Sequence, residues 1–264
     1  MALTEDSARD GSDSTRRFST RVDDYVKYRP SYPDALIDLF VDAVGLARAD
    51  VVADVGSGTG KLSDLFLRKG NRVFAVEPND EMRETGERLL GAHPGFVSVA
   101  GTAEATTLDD HSVQLVIAGQ AFHWFDPVAT RAEFRRILEP ERSVVLVWND
   151  RRHETAGFMA GYESLLVQHG TDYHRVNHQN LSADEIGRFF GPEGCRVDEL
   201  PNRQSLDLDG LQGRLFSSSY IPGERDRGHR AVIEAARRLF DRHQVAGRVT
   251  LEYVTRVYSG RLSG

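Results

Sequence analysis

Three groups of residues in this 264-residue chain have the types and spacing to do chemistry. The first is residues 51–61, Val-Val-Ala-Asp-Val-Gly-Ser-Gly-Thr-Gly-Lys: an apolar run containing Asp54, then Gly56, Gly58 and Gly60, then a helical pattern from Leu62. Without a Cβ, glycine takes backbone angles closed to other residues and lets a ligand lie against the main chain. The helix that follows points unpaired N–H groups at the same spot. The second is Glu77, nineteen residues past Gly58 and at the end of the next apolar run. An acid there can accept hydrogen bonds from both hydroxyls of a ribose. The third is residues 119–126, Gly-Gln-Ala-Phe-His-Trp-Phe-Asp, where three aromatics and His123 follow directly on a buried strand. An imidazole within hydrogen-bond reach of a phenol, amine or enol can take its proton, and it can equally pack without titrating.

Each group needs a strand to deliver it. The pattern predicts strands at the apolar run before the glycines and over 72–76, 96–100, 113–118 and 142–149. Helices are predicted over 34–44, 62–69, 79–90, 127–138 and about 158–168, the first burying Leu36, Ile37, Leu39, Phe40 and Val41. A sixth strand over 195–207, a helix over 228–243 and a terminal strand over 248–262 follow. In the last, Val249, Leu251, Tyr253, Thr255, Val257 and Ser259 share one face. Strand–helix alternation through five rounds implies a doubly wound α/β sheet, which binds ligands at the carboxyl ends of its strands.

Spacing separates the known uses of such a turn. A dinucleotide fingerprint, G-x-G-x-x-G, has its third glycine where Lys61 stands, and a phosphate-binding P-loop, G-x-x-x-x-G-K-[ST], fails at Val55 and Leu62. Asp-x-Gly-x-Gly-x-Gly matches without a mismatch and resembles the first motif of class I S-adenosylmethionine-dependent methyltransferases. Residues 28–33 (Tyr-Arg-Pro-Ser-Tyr-Pro), 120–126 and 216–222 (Phe-Ser-Ser-Ser-Tyr-Ile-Pro) look like a bacterial and fungal branch that includes trans-aconitate methyltransferase-like proteins. The resemblance runs over roughly residues 18–262.

It implies a Rossmann-like, seven-stranded, mostly parallel sheet with the last strand antiparallel, S-adenosylmethionine as methyl donor and S-adenosylhomocysteine as product. Around the donor it implies Asp54, Gly56, Gly58, Gly60, Glu77, Pro78, Met82, Ala103, Glu104 and Gln120. Residues 101–104, Gly-Thr-Ala-Glu, resemble the family's adenine-recognition loop. Toward the acceptor it implies Tyr28, Arg29, Phe122 and Trp124, with His123 as the placed base. An acceptor carboxylate would need no base, being ionised at pH 7, but would need an Arg or Lys to orient it.

Forty per cent hydrophobic and nine per cent aromatic residues suffice for a substantial core. Residues 1–17 read as a disordered tail and 18–264 as one domain, with an N-terminal cap segment over 18–33 and a helical insertion around 151–195. The cap segment interleaves aromatics with Arg21, Lys27 and Arg29, and fits either a lid or plain packing. A net charge of −7 disfavours a nucleic-acid backbone as partner, since that binding runs on clustered Lys and Arg. A small-molecule methyl acceptor fits better. No apolar run approaches the ~18 residues of a membrane span and no signal-peptide core is present, so a cytoplasmic location is expected. Cys195, the single cysteine, reads as a small core residue. His169, His174 and His178 have no fixed carboxylate partner, so no metal site is expected. Two other readings compete: a donor-binding regulator without catalysis, and a nucleotide-dependent oxidoreductase.

Overall fold

The computed structural model describes residues 26–152, 154, 156–171, 173, 183–218 and 220–263. The expected tail, the first part of the aromatic segment, and His174 and His178 lie outside these. Seven strands form one sheet: β1 (Val51–Val55), β2 (Arg72–Val76), β3 (Phe96–Val99), β4 (Val113–Gly119), β5 (Leu138–Arg151), β6 (Arg196–Leu206) and β7 (Val249–Gly260), in the order β3-β2-β1-β4-β5-β7-β6. All neighbours are parallel except β7, which runs antiparallel to β5 and β6. The helices are α1 (Ala35–Val44), α2 (Lys61–Lys69), α3 (Asp80–Leu90), α4 (Pro127–Ile137), α5 (Gly157–His169), α6 (Ala183–Phe190), α7 (Leu208–Phe216) and α8 (His229–His243).

Alternation along the central strands feeds two cores. Val52, Leu115, Ile117, Val145 and Val147 meet α1 and α2 through Leu36, Phe40, Leu65 and Phe66. Ala53, Val116, Ala118, Val144, Leu146 and Trp148 point to the other face, against Phe134 and Ile137 of α4 and Phe189 and Phe190 of α6. A strand buried on both faces is apolar throughout, and Val144 to Trp148 are all at most 4% exposed.

β7 outruns β5. Arg151 pairs with Tyr253 and Arg152 N donates to Glu252 O at 3.0 Å, so residues 249–251 pair with β6 and not β5, and the ladder projects past the carboxyl end of the sheet. A third core of α5, α7 and α8 builds on this projection around Leu206, Val249, Leu251 and Tyr253. All six residues expected on one face of β7 are buried.

Several expectations are corrected. Val41 is 49% exposed and does not join the buried stripe of α1. β5 is 14 residues long: it begins at Leu138, paired with Val113 of β4, and pairing with β7 continues it to Arg151. The short helices α6 and α7 were not expected. The helical material around 151–195 splits, α5 capping the sheet's end and α6 packing on its face.

Candidate active site

The chain passes from β1 out to β3, then returns to β4 on the other side of β1, opening a crevice at the carboxyl ends of β1 and β4. The glycine turn lies there, tied to the neighbouring strand: Gly56 N and Ser57 N both donate to Val76 O, at 2.9 and 3.1 Å. The three glycines take positive φ of 69°, 57° and 84° for different ends. A Cβ on Gly56 would sit 2.6 Å from Ala121 Cβ, and one on Gly60 would sit 2.3 Å from Leu90 Cδ1. On Gly58 it would meet nothing within 4 Å. Two glycines thus serve close packing, and Gly58 alone of the three borders open space.

Glu77 folds back under this turn. Its Oε2 accepts the Gly58 N–H at 2.8 Å, its Oε1 accepts that of Asn79 at 2.9 Å, and the residue is 8% exposed. Burial raises its carboxyl above the ordinary value, while the two N–H bonds and Arg83 pull it down. Each carboxylate oxygen can accept a second hydrogen bond beside its existing partner.

Asp54, at the end of β1, is buried; Ser63 Oγ donates to its Oδ2 at 2.6 Å, and Oδ1 has no hydrogen-bond partner among the described residues. Burial pushes its carboxyl up to about 7, against the Ser63 bonds and with help from the Glu77 charge. Below pH ~4 the group is protonated in folded and unfolded chains alike. Between there and pH 7 only the unfolded chain ionises, so folding stability should fall as pH rises, by up to about 1.4 kcal/mol per pH unit. Denaturant unfolding of Asp54→Asn should lack this component. Parallel stability–pH curves for the two proteins between pH 4 and 7 would contradict it.

Met82 is 4% exposed in the first turn of α3, its N–H donating to the Asn79 cap at 2.9 Å, and Pro78 is exposed beside it. Ala103 is 4% exposed in a turn closed by Thr102 and Ala105. Glu104 Oε1 accepts the Asp126 N–H at 2.9 Å, joining the loop after β3 to the loop after β4. Glu133, which the sequence pattern did not single out, accepts from Thr106 N at 2.8 Å and Thr106 Oγ1 at 2.5 Å, so α4 holds the same loop. Its bonds to Arg136, against burial, keep its carboxyl near 2.

After β4, Gln120 takes a left-handed φ of 59°; its N–H donates to Val147 O at 2.8 Å and its Nε2 to Asn149 O at 3.3 Å. The expectation had Phe122 and Tyr28 toward an acceptor. Phe122 is 3% exposed in the core, its ring centroid 4.5 Å from Phe189 and 6.4 Å from Trp148. The Tyr28 ring lies on Gly213 of α7, where a Cβ would come within 2.2 Å of it. His123 and Trp124 lie side by side and half-buried, centroids 4.9 Å apart.

The segment over 26–32 lies across the strand ends. Lys61 Nζ donates to Val26 O at 2.7 Å, Arg29 Nη2 to Ser217 O at 3.1 Å, and Asn202 Nδ2 to Ser31 O at 2.8 Å. A Cβ on Gly119 would lie 2.5 Å from the Tyr32 hydroxyl. The segment therefore touches α2, β4, β6 and the end of α7 at once.

The strand order and the glycine turn at the switch point define the class I methyltransferase fold. Residues 53–146 match a methyltransferase-domain family. An uncharacterized methyltransferase of Mycobacterium tuberculosis is 41% identical over 139 residues, 53% of this chain and 54% of its own length. The chain thus spans about half the length of the mycobacterial relatives it matches. An uncharacterized methyltransferase-like protein of Schizosaccharomyces pombe is 27% identical over 92% of this chain and 94% of its own. A solved structure from Anaeromyxobacter dehalogenans, provisionally named a type II methyltransferase, shares 24% identity over 89% of this chain and 98% of its own, with a TM-score of 0.65. No helix among the described residues is long and apolar enough to cross a membrane.

Proposed function

We propose that this chain transfers a methyl group from S-adenosylmethionine to a small-molecule acceptor, with a carboxylic acid as the leading acceptor class. One observation carries the reading: a buried Glu77 carboxylate bonded to the N–H of Gly58, the glycine that borders open space, at the crevice of the sheet. Gly58 would offer main chain to the donor, Glu77 its lone pairs to the ribose hydroxyls, and the buried Asp54 Oδ1 an acceptor not yet satisfied. Met82, Ala103 and Glu104 would border the purine. The family resemblance of residues 28–33, 120–126 and 216–222 supports the trans-aconitate methyltransferase-like branch as the finer placement.

A bound sulfonium donor supplies an electrophilic methyl with a neutral leaving group. What the protein adds is orientation and a dry wall, and holding the acceptor in line can supply several kcal/mol. Trp124 and the segment over 26–32 would exclude water. Where the acceptor carries a proton, His123 would take it at Nε2, since Nδ1 is buried. A net charge of −7 favours a small acceptor over a nucleic acid.

The test is calorimetric titration of the protein with S-adenosylmethionine, NADH and ATP, followed by an acceptor screen over small carboxylic acids and phenols. Binding of the methyl donor alone, with turnover of an acceptor, is expected. His123→Ala should leave donor affinity within about twofold and lower kcat by about 100-fold or more on a phenolic acceptor. Tight NADH binding would return the oxidoreductase reading, and donor binding without turnover of any acceptor would favour a regulator.

A further inference from the structure

The cap over the strand ends encloses buried charged side chains outside the glycine turn. Arg214 of α7 is 4% exposed, and among the described residues its guanidinium donates only to neutral oxygens: Nε to the Tyr253 hydroxyl at 3.3 Å, Nη1 to Ser217 Oγ at 3.4 Å and Ser218 Oγ at 3.1 Å. Arg151, the last residue of β5, has a side chain 13% exposed; its Nη2 donates to Glu163 Oε2 at 2.9 Å and the Tyr173 hydroxyl at 2.6 Å. The Arg151 guanidinium also lies 5.4 Å from the Tyr162 ring. Tyr162 is 1% exposed, and its hydroxyl has no hydrogen-bond partner among the described residues. Arg29 joins the group through Ser217 O. Arg151 pairs with Tyr253 across β5 and β7, Arg214 donates to the Tyr253 hydroxyl, and Ser217 accepts from both Arg214 and Arg29, so the three cations lie around one place. Burial raises the Tyr220 phenol, but their fields bring it below its ordinary value.

A guanidinium does not lose its proton in a protein, and a buried charge or a buried hydroxyl without its complement is costly. Glu163 is the single carboxylate ion-paired to Arg151 or Arg214 among the described residues. One oxyanion would complement both arginines and the Tyr162 hydroxyl together. The position is right for an acceptor: Arg151 lies two residues past Asn149, whose carbonyl holds Gln120, and Arg29 is near enough to Lys61, at the end of the glycine turn, to act with burial in lowering its amine.

We propose that Arg151, Arg214 and the Tyr162 hydroxyl form an oxyanion site that holds a doubly charged small acceptor, a dicarboxylate or a phosphate monoester, beside the methyl donor. The acceptor role rests on the methyltransferase reading; the oxyanion site does not. The test is calorimetric titration of the full chain with succinate, inorganic phosphate and acetate, and separately with S-adenosylmethionine. Succinate or phosphate should bind saturably and acetate at least tenfold more weakly; the better of the first two assigns the oxyanion source. Arg151→Gln and Arg214→Gln should each weaken that binding by tenfold or more and leave donor affinity within twofold. Tyr162→Phe deletes one hydroxyl without disturbing packing and should weaken it severalfold, so the test holds even where Arg214→Gln does not fold. Equal affinities in Arg151→Gln and Tyr162→Phe, or no saturable binding of any probe, would overturn the site. So would a tyrosinate band near 295 nm at pH 7 that disappears in Tyr220→Phe, since the chain would then supply its own anion. Intact oxyanion binding with no donor binding would sink the methyltransferase reading and leave the site standing.

Discussion

Glu77→Ala should lower affinity for S-adenosylmethionine by on the order of 100-fold or more, the largest loss expected from any single side chain at the site. A hydrogen bond to a charged group contributes roughly 1.5–3 kcal/mol, and each 1.4 kcal/mol is about tenfold in affinity. Two ribose hydroxyls would be lost together. The turn is also loosened, because the same carboxylate anchors the N–H groups of Gly58 and Asn79. Glu77→Gln keeps one acceptor oxygen and the shape of the side chain but loses the charge, so an intermediate loss of about tenfold is expected. Titration calorimetry of both variants, with melting temperatures to confirm folding, decides the matter. A loss under about threefold in Glu77→Ala would remove the ribose role and with it the main support for donor binding.

Alanine at Gly58 and at Gly56 should have opposite consequences, although the two residues are separated by Ser57 alone. Gly56→Ala pushes a methyl to 2.6 Å from Ala121 Cβ at a φ of 69°. The left-handed angle costs roughly 1–2 kcal/mol and the overpacking roughly 1–3 kcal/mol. At about 2–4 °C per kcal/mol in a chain of this size, Tm should fall by roughly 5–15 °C. Gly58→Ala carries only the cost of the angle, and its methyl stands in open space where the donor would approach. It should fold with a Tm about 2–8 °C below the parent and lose at least tenfold in donor affinity. Thermal denaturation and calorimetry on the pair separate packing from binding. Equal destabilisation, with Gly58→Ala binding the donor normally, would mean that the open face of the turn is not the ligand's.

Much of this molecule is written in short-range pattern. The apolar run, the three glycines and the helix after them are adjacent in the chain, so residue types alone mark a strand, turn and helix. The β7 alternation is equally plain, because one face of a strand recurs every second residue. Glu77 could be singled out because a βαβ unit sets a nearly constant chain distance between the glycines and the end of the next strand.

Other features depend on partners distant in sequence. α7 carries Gly210 and Gly213, poor helix formers, and is held by the Asp207 cap and by Tyr28 packing on Gly213. Phe122 shares a loop with His123 and Trp124, yet Phe189 of α6 draws it into the core. Arg151 and Arg214 are 63 residues apart, and no local pattern marks either as buried; only the projecting β6–β7 ladder and the helices on it bring them together. The sequence by itself thus determined the sheet, the glycine turn and the acid at the end of β2, Glu77, whose signals are periodicity and fixed spacing. The tertiary structure alone decided which glycine borders open space, where the aromatic side chains pack and that two arginines share one buried place. Burial and charge balance are properties of the packed whole, and sequence periodicity reports only which face of an element turns inward.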